Sequence, residues 1–196
     1  MWDQRYNSEQ YIYGTEPNDF LREQAGLLAS GGRILCLAEG EGRNAVYLAG
    51  LGMEVTAVDA SAVGLAKAQQ LADQNGVAIT TVQEDLSDFD PGHEQWDAIV
   101  SIFCHLPPDM RQRLHKKVVN ALKPGGLLIL EAYRPEQLEY KTGGPPNAAM
   151  MMTEEVLRSE LGGLHFDLLN SSVRTVIEGT GHTGRGAVVQ LVALKV

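Results

Sequence analysis

The stretch ILCLAEGEGRNAVYLA, residues 34–49, decides the fold prediction. It overlaps a short apolar run, RILCLA (33–38), which has the length and composition of a buried β-strand. A helix is predicted for RNAVYLAGLG (43–52), and the glycine loop LAEGEGRN (37–44) joins the two elements. Strand, glycine loop and helix in this order place the loop at the carboxyl end of the strand, where open α/β sheets bind their ligands.

The same alternation of strand and helix continues through the middle of the chain. Further strands are predicted for EVTAVDA, TTVQED, DAIVSIF and LLILEAY, at residues 54–60, 80–85, 97–103 and 127–133. One helix is expected to begin after Ser61 as its N-cap and to end before Gly76. Another, within residues 109–126, has one apolar face and stops at a Pro-Gly-Gly sequence. Short connections between alternating elements indicate a parallel sheet covered on both faces.

The end of the chain has a different pattern. Thr153 is expected to cap a helix that runs to about Leu161. Two strand-like segments follow, near residues 166–177 and 187–195, with little helix between them. The sequence therefore predicts a single α/β domain over residues 1–196, with a doubly wound, mostly parallel seven-stranded sheet and a C-terminal antiparallel strand pair.

The composition excludes several classes of protein. The chain of 196 residues is 44% hydrophobic and has a net charge of −9, which argues against a nucleic-acid partner. The sequence contains neither an apolar run long enough to span a membrane nor an apolar secretory signal, so we expect a cytoplasmic protein without a membrane partner. Cys36 and Cys104 lie in or beside apolar runs and are expected to be buried, reduced thiols, and no metal site is predicted.

The glycine loop allows two kinds of ligand. Residues 40–45 match the dinucleotide pattern GxGxxA, and Asp59 follows Gly40 by 19 positions, where a carboxylate would bind a ribose. Glu39 and Glu41, however, would repel a pyrophosphate, because phosphate sites need hydrogen-bond donors and positive potential. S-adenosylmethionine has a ribose, no phosphate, and an ammonium and a sulfonium cation. The carboxylates thus favour S-adenosylmethionine over NAD, unless both glutamates point into solvent.

Several ordered motifs support that choice by resemblance. ILCLAEGEGRNAVYLA, VTAVDAS, QEDLSDF and WDAIVSIFCHL are similar to the four successive motifs of class I S-adenosylmethionine-dependent methyltransferases, and LKPGGLLILEAY is similar to the element that leads into their fifth strand. The GEGRN sequence and the opening WDQRY…YIYGTEPNDFL most resemble the tellurite-resistance and thiopurine methyltransferase branch. The resemblance implies a Rossmann-like fold in which residues 1–30 cover the cofactor.

The resemblance also implies the cofactor contacts. Asp59 would bind the ribose hydroxyls, Asp85 the adenine amino group, and Leu86 would lie near the base. The full expected set is Tyr13, Thr15, Glu39, Gly40, Gly42, Arg43, Asn44, Asp59, Ala60, Asp85, Leu86 and Phe103. The sequence departs from the family pattern at Cys36, where an acidic residue is usual, and at Ala38, where glycine is usual.

Two segments are expected to cover the site. Residues 11–20, YIYGTEPNDF, have aromatic rings followed by turn-forming Gly14 and Pro17, and are predicted to form a lid. The alternative is an ordinary helix from Asn18 onward with the preceding residues packed. The linker EYKTGGPPNAAMMM (139–152) is rich in glycine and proline and is expected to be mobile or to form a lid. Its three methionines belong either to that lid or to the core.

Two histidines are the candidate catalytic residues. His105 directly follows the fourth strand, and His182 lies in the predicted loop between the last two strands, close to Arg185. Either histidine would serve as a general base near neutral pH, and each has an alternative structural role.

The predicted function is methyl transfer from S-adenosylmethionine to a small-molecule acceptor. The resembled branch suggests a soft nucleophile such as a thiol or tellurite. The protein is expected to be a monomer or a homodimer. The alternatives are an NAD-dependent oxidoreductase and a non-catalytic S-adenosylmethionine-binding regulator.

Overall fold

The structure, a computed structural model, describes residues 2–196 and is organised around one seven-stranded sheet with the order β3-β2-β1-β4-β5-β7-β6. The strands are β1 (Arg33–Leu37), β2 (Glu54–Asp59), β3 (Thr80–Gln83), β4 (Trp96–Ile102), β5 (Leu122–Tyr133), β6 (Leu164–Glu178) and β7 (His182–Lys195). Strands β1 to β5 pair in parallel, whereas β7 pairs antiparallel with both β5 and β6. The predicted α/β fold, mostly parallel with an antiparallel C-terminal pair, is confirmed.

Seven helices accompany the sheet in the described part of the chain. They are α1 (Trp2–Tyr6), α2 (Asp19–Gln24), α3 (Arg43–Gly50), α4 (Ala62–Asn75), α5 (Pro108–Ala121), α6 (Gln137–Tyr140) and α7 (Glu154–Glu160). The two predicted caps are present, since the hydroxyls of Ser61 and Thr153 accept hydrogen bonds from the backbone N–H groups of Gly64 and Val156. Asn18 caps α2 through Leu21, so the helix expected from this point is also present.

The last strand starts earlier than predicted, and other strand boundaries also differ from the prediction. Strand β7 begins at His182 instead of residue 187, because its pairing with β6 continues to the Glu178–His182 pair. His182 is therefore the first residue of a strand, and the hairpin turn contains only residues 179–181. The segment 139–152 contains a 3₁₀ turn (Ala148–Met150) and is bonded to the sheet by the Met152 N–H, which donates to the Tyr133 carbonyl over 3.0 Å.

The apolar core fills both faces of the sheet. Successive strand residues point to opposite faces, so Leu35 packs with α5 and α7 on one side while Cys36 packs with α2 and α3 on the other. Both cysteines are buried and unbridged, as expected from their apolar neighbours. The three methionines separate: Met151 and Met152 are core residues, whereas Met150 is not.

The glycine loop is fixed by close packing between α3 and α4. Gly42 has a φ of 90°, which glycine adopts at little cost, and a Cβ added here would lie 2.5 Å from the Cβ of Ala68. Gly50, in the last turn of α3, has nothing within 4 Å of an added Cβ. Replacement of these two glycines by alanine is therefore expected to have different effects on stability.

Gly42→Ala should destabilise the protein by about 2–4 kcal/mol, because it adds backbone strain to a steric clash. Gly50→Ala, the matched control, should be neutral or stabilising by up to about 1 kcal/mol. Urea denaturation of both variants measures the difference in the free energy of unfolding. Similar stabilities for the two variants would contradict the packing argument.

Candidate functional site

A cavity of about 540 Å³ opens at the carboxyl ends of the parallel strands. Strand β1 lies between β2 and β4, so the strand order reverses here and leaves a crevice. The lining includes residues that directly follow strands β1 to β4, namely Ala38, Glu39, Ala60, Asp85, Leu86 and Phe103, together with Asp59 at the end of β2. The sequence-predicted site residues at these strand ends are thus brought together in one cavity.

Two strand ends turn into the cavity through unusual backbone conformations. Ala38 after β1 and Phe103 after β4 have φ values of 49° and 51°, in the left-handed region that favours glycine. Such a conformation costs roughly 1–3 kcal/mol for a residue with a Cβ. Ala38 thus adopts a backbone conformation that glycine would adopt at lower cost.

Glu39 caps the helix that follows the loop. Its Oε1 accepts hydrogen bonds from the backbone N–H groups of Asn44 (2.9 Å) and Ala45 (2.8 Å), at the N-terminus of α3. Burial raises the pKa of Glu39 to about 7, although these N–H groups and Arg43 act in the opposite direction. Glu39 is 8% exposed and lines the cavity, so its remaining oxygen is available to a cationic ligand.

Glu41 holds the N-terminal segment. Its Oε2 accepts a hydrogen bond from the Ile12 N–H over 2.8 Å, and its Oε1 pairs with the ammonium group of Lys67. Glu41 is 3% exposed. The alternative in which both glutamates point into solvent is therefore wrong.

Asp59 is fixed by the backbone on both sides. Its Oδ2 accepts from the Gly40 N–H and its Oδ1 from the Ser61 N–H, each over 2.8 Å. Burial raises the pKa of Asp59, and the two N–H groups oppose this shift. Since a carboxylate has about four acceptor sites, Asp59 keeps capacity for a ligand in the cavity.

The opposite end of the expected adenosine site is more open. Asp85 is exposed, and its Oδ1 accepts from the Ser87 N–H over 2.8 Å, which lowers the pKa of Asp85. Leu86 beside it is buried and presents an apolar surface to the cavity.

Three predicted residues do not line the cavity. Thr15 is exposed outside it, and Gly42 faces α4. Gly40 packs against α1 on the side where a Cβ would lie, since an added Cβ would be 2.6 Å from the hydroxyl of Tyr6. These glycines thus permit helix packing around the loop.

Residues 1–30 and 139–152 were expected to cover the site, but most of their lining residues, and several beside β4, were not individually predicted. The N-terminal helix and the segment before α7 contribute Trp2, Arg5, Tyr6, Gly14, Gly144, Pro145, Pro146 and Met150, and the neighbourhood of β4 adds Ile102, Cys104, Leu106 and Met110. Helix α1 has only five residues, too few for a periodic apolar pattern. The aromatic residues Trp2 and Tyr6 in a short polar segment were the available signal.

The N-terminal segment and the β6–β7 hairpin meet over the cavity. The Gly181 N–H donates to the Ile12 carbonyl over 2.9 Å, and the rings of Tyr13 and His182 lie 4.6 Å apart. Phe103 contacts the same histidine at 4.8 Å and stacks on Tyr133 at 4.4 Å. The cavity is thus closed on one side by a layer of aromatic rings.

The geometry argues against His105 as a general base. Its Nε2 accepts a hydrogen bond from the Tyr133 N–H over 2.9 Å, which occupies the lone pair that a base would use. Desolvation lowers the pKa of His105 to about 3, and the neighbouring His182 adds to the shift. The prediction of His105 as a catalytic base is corrected on this ground: the residue joins β5 to the turn after β4.

His182 has a different environment. Its Nδ1 lies 3.6 Å from Oε2 of Glu178, and burial lowers the pKa of His182 while Glu178 opposes the shift. Glu178 in turn pairs with Arg43 over 2.6 Å and accepts from the Asn18 amide over 2.8 Å. Although burial acts to raise it, His182 and Arg43 lower the pKa of Glu178 to about 2. His182 therefore lies beside a carboxyl group whose ionised form is stabilised by its surroundings.

Arg43 and Asn44 line the cavity, but their polar groups bind the protein itself. Arg43 is paired with Glu178, and the Asn44 Oδ1 accepts from the Asn18 N–H over 2.9 Å. These contacts connect the glycine loop to the N-terminal segment and to β6. Within residues 2–196, neither a cluster of three metal-ligating side chains nor a helix able to cross a membrane is present.

Comparison with known proteins matches part of the chain to a methyltransferase domain. Residues 34–126, nearly half of the chain, match the family model described as a methyltransferase domain. The chain is 35% identical over 136 residues to the glycine/sarcosine N-methyltransferase of Halorhodospira halochloris, a match covering 66% of this chain and 47% of that protein. The chain spans less than half the length of the curated relatives it matches.

Solved structures share the complete fold. One, reported for the conversion of a disulfide bond into a thioacetal group during echinomycin biosynthesis, aligns with a TM-score of 0.79 at 20% identity and covers 99% of this chain and 90% of that one. TehB from Haemophilus influenzae aligns with a TM-score of 0.74 at 19% identity and covers 100% of this chain and 66% of that one. These similarities show the fold. Two further structures that share the fold, one from Methanosarcina mazei at 21% identity and one from Aquifex aeolicus at 16% identity, are described as SAM-dependent methyltransferases.

Ionisation of Glu39 should make stability depend on pH. Its pKa is higher in the folded protein, about 7, than the ordinary 4.5, so its contribution is present at low pH and is lost as pH rises through 7. Between pH 5 and pH 8 the free energy of unfolding should fall by roughly 2 kcal/mol more in the wild type than in Glu39→Gln. Urea denaturation at both pH values measures this, with exposed Glu54→Gln as the control. A wild-type pH dependence retained in Glu39→Gln would exclude the assignment.

Proposed function

We propose that this protein transfers a methyl group from S-adenosylmethionine to a small-molecule acceptor. The observation that supports this best is the use of the N–H groups of the glycine loop. Glu39 accepts from Asn44 and Ala45, and Asp59 accepts from Gly40. Three of the N–H donors that a pyrophosphate could use are therefore occupied by carboxylates of the protein.

The charges around the loop fit the same cofactor. Arg43 and Lys67, the basic residues beside the loop, are each paired with a carboxylate, Glu178 and Glu41. An NAD pyrophosphate would find negative potential beside the loop, where both of these basic residues are already paired. A ligand with a ribose and an ammonium group fits this donor set, since carboxylates favour cations and hydroxyl donors. An NAD-dependent oxidoreductase is disfavoured on this ground.

The residues present would hold the cofactor in three places. Asp59 would accept hydrogen bonds from the ribose hydroxyls, Asp85 and Leu86 would contact the adenine, and Glu39 would face the ammonium group. When bound, S-adenosylmethionine supplies a methyl group activated by its sulfonium. The contribution of the protein is then alignment and the exclusion of water. Tyr13, within the N-terminal segment, is placed to exclude water from the cavity.

His182 is the proposed general base. Unlike His105, it makes no hydrogen bond through either ring nitrogen with residues 2–196, and it lines the cavity. Its neutral form would accept a proton from the acceptor, and Glu178 beside Nδ1 would stabilise the resulting imidazolium. Glu178 is thus a positioning residue. A soft nucleophile such as a thiol or tellurite, as the family resemblance implies, would need little help from a base.

Cofactor choice is tested by binding. At 100 times its dissociation constant, S-adenosylhomocysteine should stabilise the protein by about 2.7 kcal/mol, and NADH should not. Asp59→Asn should weaken binding by about 2 kcal/mol, because charged hydrogen bonds to the ribose are lost. Titration calorimetry and thermal unfolding measure both effects, with exposed Asp88→Asn as the control. Stabilisation by NADH alone would overturn the proposal.

The lid prediction for the N-terminal segment is tested by hydrogen exchange. Peptides covering residues 2–20 should exchange amide hydrogens more slowly when S-adenosylhomocysteine is bound, and equal exchange with and without the ligand would contradict the lid.

The histidine assignment is tested with matched variants. Once an acceptor is found by screening, His182→Asn should lower turnover by roughly 10²-fold for an acceptor that must lose a proton, with cofactor affinity unchanged. His105→Gln, whose longer side chain places an amide oxygen near the position of Nε2, can still accept from the Tyr133 N–H and should keep most activity. Glu178→Gln should lower the pKa of His182 measured by NMR, which requires no acceptor. An unchanged pKa in Glu178→Gln would remove the positioning role.

A further inference from the structure

Arg5 differs from the two other cationic side chains at or near the cavity. Arg43 and Lys67 are both ion-paired. Arg5 lines the cavity and is exposed, yet within residues 2–196 it makes no ion pair or hydrogen bond. Its guanidinium is the one free cation that the described chain presents to a ligand at this site.

Aromatic rings hold this guanidinium in place. The Arg5 Cζ lies 5.2 Å from the ring centroid of Trp2 and 5.5 Å from that of Tyr13. Trp2 in turn stacks on Tyr6, with ring centroids 5.6 Å apart. Cation–π contacts orient an arginine without neutralising it, so its N–H donors remain available for an anion.

Tyr13 connects Arg5 to the proposed base. The centroid of the His182 ring lies 4.6 Å from that of the same tyrosine. Arg5 and His182 therefore both lie within 6 Å of the centre of the Tyr13 ring. A small molecule placed along this ring could contact the cation at one end and the histidine at the other.

We propose that the methyl acceptor is a small organic carboxylate, and that Arg5 binds its carboxylate while its nucleophilic atom lies at His182. This inference rests on the proposed function. A planar guanidinium suits a carboxylate, because its N–H groups match the two oxygens. Arg5 is thereby a specificity-determining residue at the mouth of the cavity.

The surrounding charges show why an anionic acceptor needs this arginine. Glu39, Asp59 and Asp85 line the cavity, and the protein has a net charge of −9. An anion would be repelled unless a cation lay beside it. Burial and Arg43 lower the pKa of His182, and Arg5 makes a smaller contribution in the same direction. A carboxylate bound to Arg5 offsets that effect, so acceptor binding raises the basicity of the histidine.

The methionine carboxylate of the cofactor has the same chemistry and is the competing partner for Arg5. Arg5 precedes Tyr6, which packs on Gly40 of the glycine loop, so the location of α1 alone does not separate the two carboxylates. The contact of the Tyr13 ring with both Arg5 and His182 favours the acceptor. The two sources are separated by measuring the cofactor and the acceptor arms independently.

The acceptor arm uses pairs of probes that differ only in charge. Protein saturated with S-adenosylhomocysteine is titrated with propionate and benzoate and with the corresponding amides, followed by NMR. In the wild type, each carboxylate should bind at least about 10-fold more tightly than its amide, equivalent to about 1.4 kcal/mol. Arg5→Gln should abolish the preference and Arg5→Lys should keep part of it. Arg113→Gln, which removes an exposed cation from α5, should leave it unchanged.

A second readout follows the histidine. Benzoate should raise the pKa of His182 in the wild type and leave it unchanged in Arg5→Gln. Equal binding of carboxylates and amides by the wild type, or a preference that survives Arg5→Gln, would overturn the proposal.

The cofactor arm compares S-adenosylhomocysteine with its decarboxylated analogue by calorimetry. Arg5→Gln should change the affinity for either compound by less than about 2-fold. A loss of 10-fold or more for S-adenosylhomocysteine alone would assign Arg5 to the cofactor and overturn the inference, leaving the proposed function intact. Absence of S-adenosylhomocysteine binding by the wild type would instead overturn the proposed function.

Discussion

Two buried carboxylates, Glu39 and Asp59, accept the hydrogen bonds of the glycine-loop backbone. Through these bonds the loop connects the ends of β1 and β2 to the start of α3. Each carboxylate loses hydration on burial, and the N–H groups replace part of it. The partial positive charge at the N-terminus of α3 is thereby already compensated by carboxylates of the protein. A loop that in other α/β sheets binds phosphate is thereby unsuited to phosphate, while both carboxylates still face the cavity.

A buried network of charges connects this loop to the two segments that cover the cavity. Glu178 pairs with Arg43, Glu131 pairs with Arg174, and the amide of Asn18 donates to both carboxylates. Two acidic and two basic side chains compensate one another, so their burial leaves no isolated charge. Asn18 precedes α2, Arg43 begins α3, and Glu178 ends β6. The position of the N-terminal segment over the cavity is therefore coupled to the hairpin that contains His182.

Sequence patterns predicted the sheet well because each strand and cap has a local cause. Ser61 and Thr153 are hydrogen-bonded as caps, and the apolar runs lie within the strands. The pattern at the C-terminal pair was weaker, since β6 is an edge strand with mixed exposure, and its long pairing with β7 is non-local. The contacts between side chains of the site could not be predicted from the sequence either. Arg43 and Glu178 are 135 residues apart, and no local signal relates them.

The two histidines show why the residue type alone could not assign the chemistry. Both follow or begin strands beside Phe103 and Tyr133, in one layer of rings. The pattern offered them as equivalent bases. The structure separates them by one hydrogen bond: a backbone donor points at Nε2 of His105, whereas a carboxylate lies beside Nδ1 of His182. A donor stabilises the neutral imidazole and a carboxylate stabilises the protonated one, so protonation costs less at His182 than at His105. The network around Glu178 thus determines which histidine is fit for proton transfer.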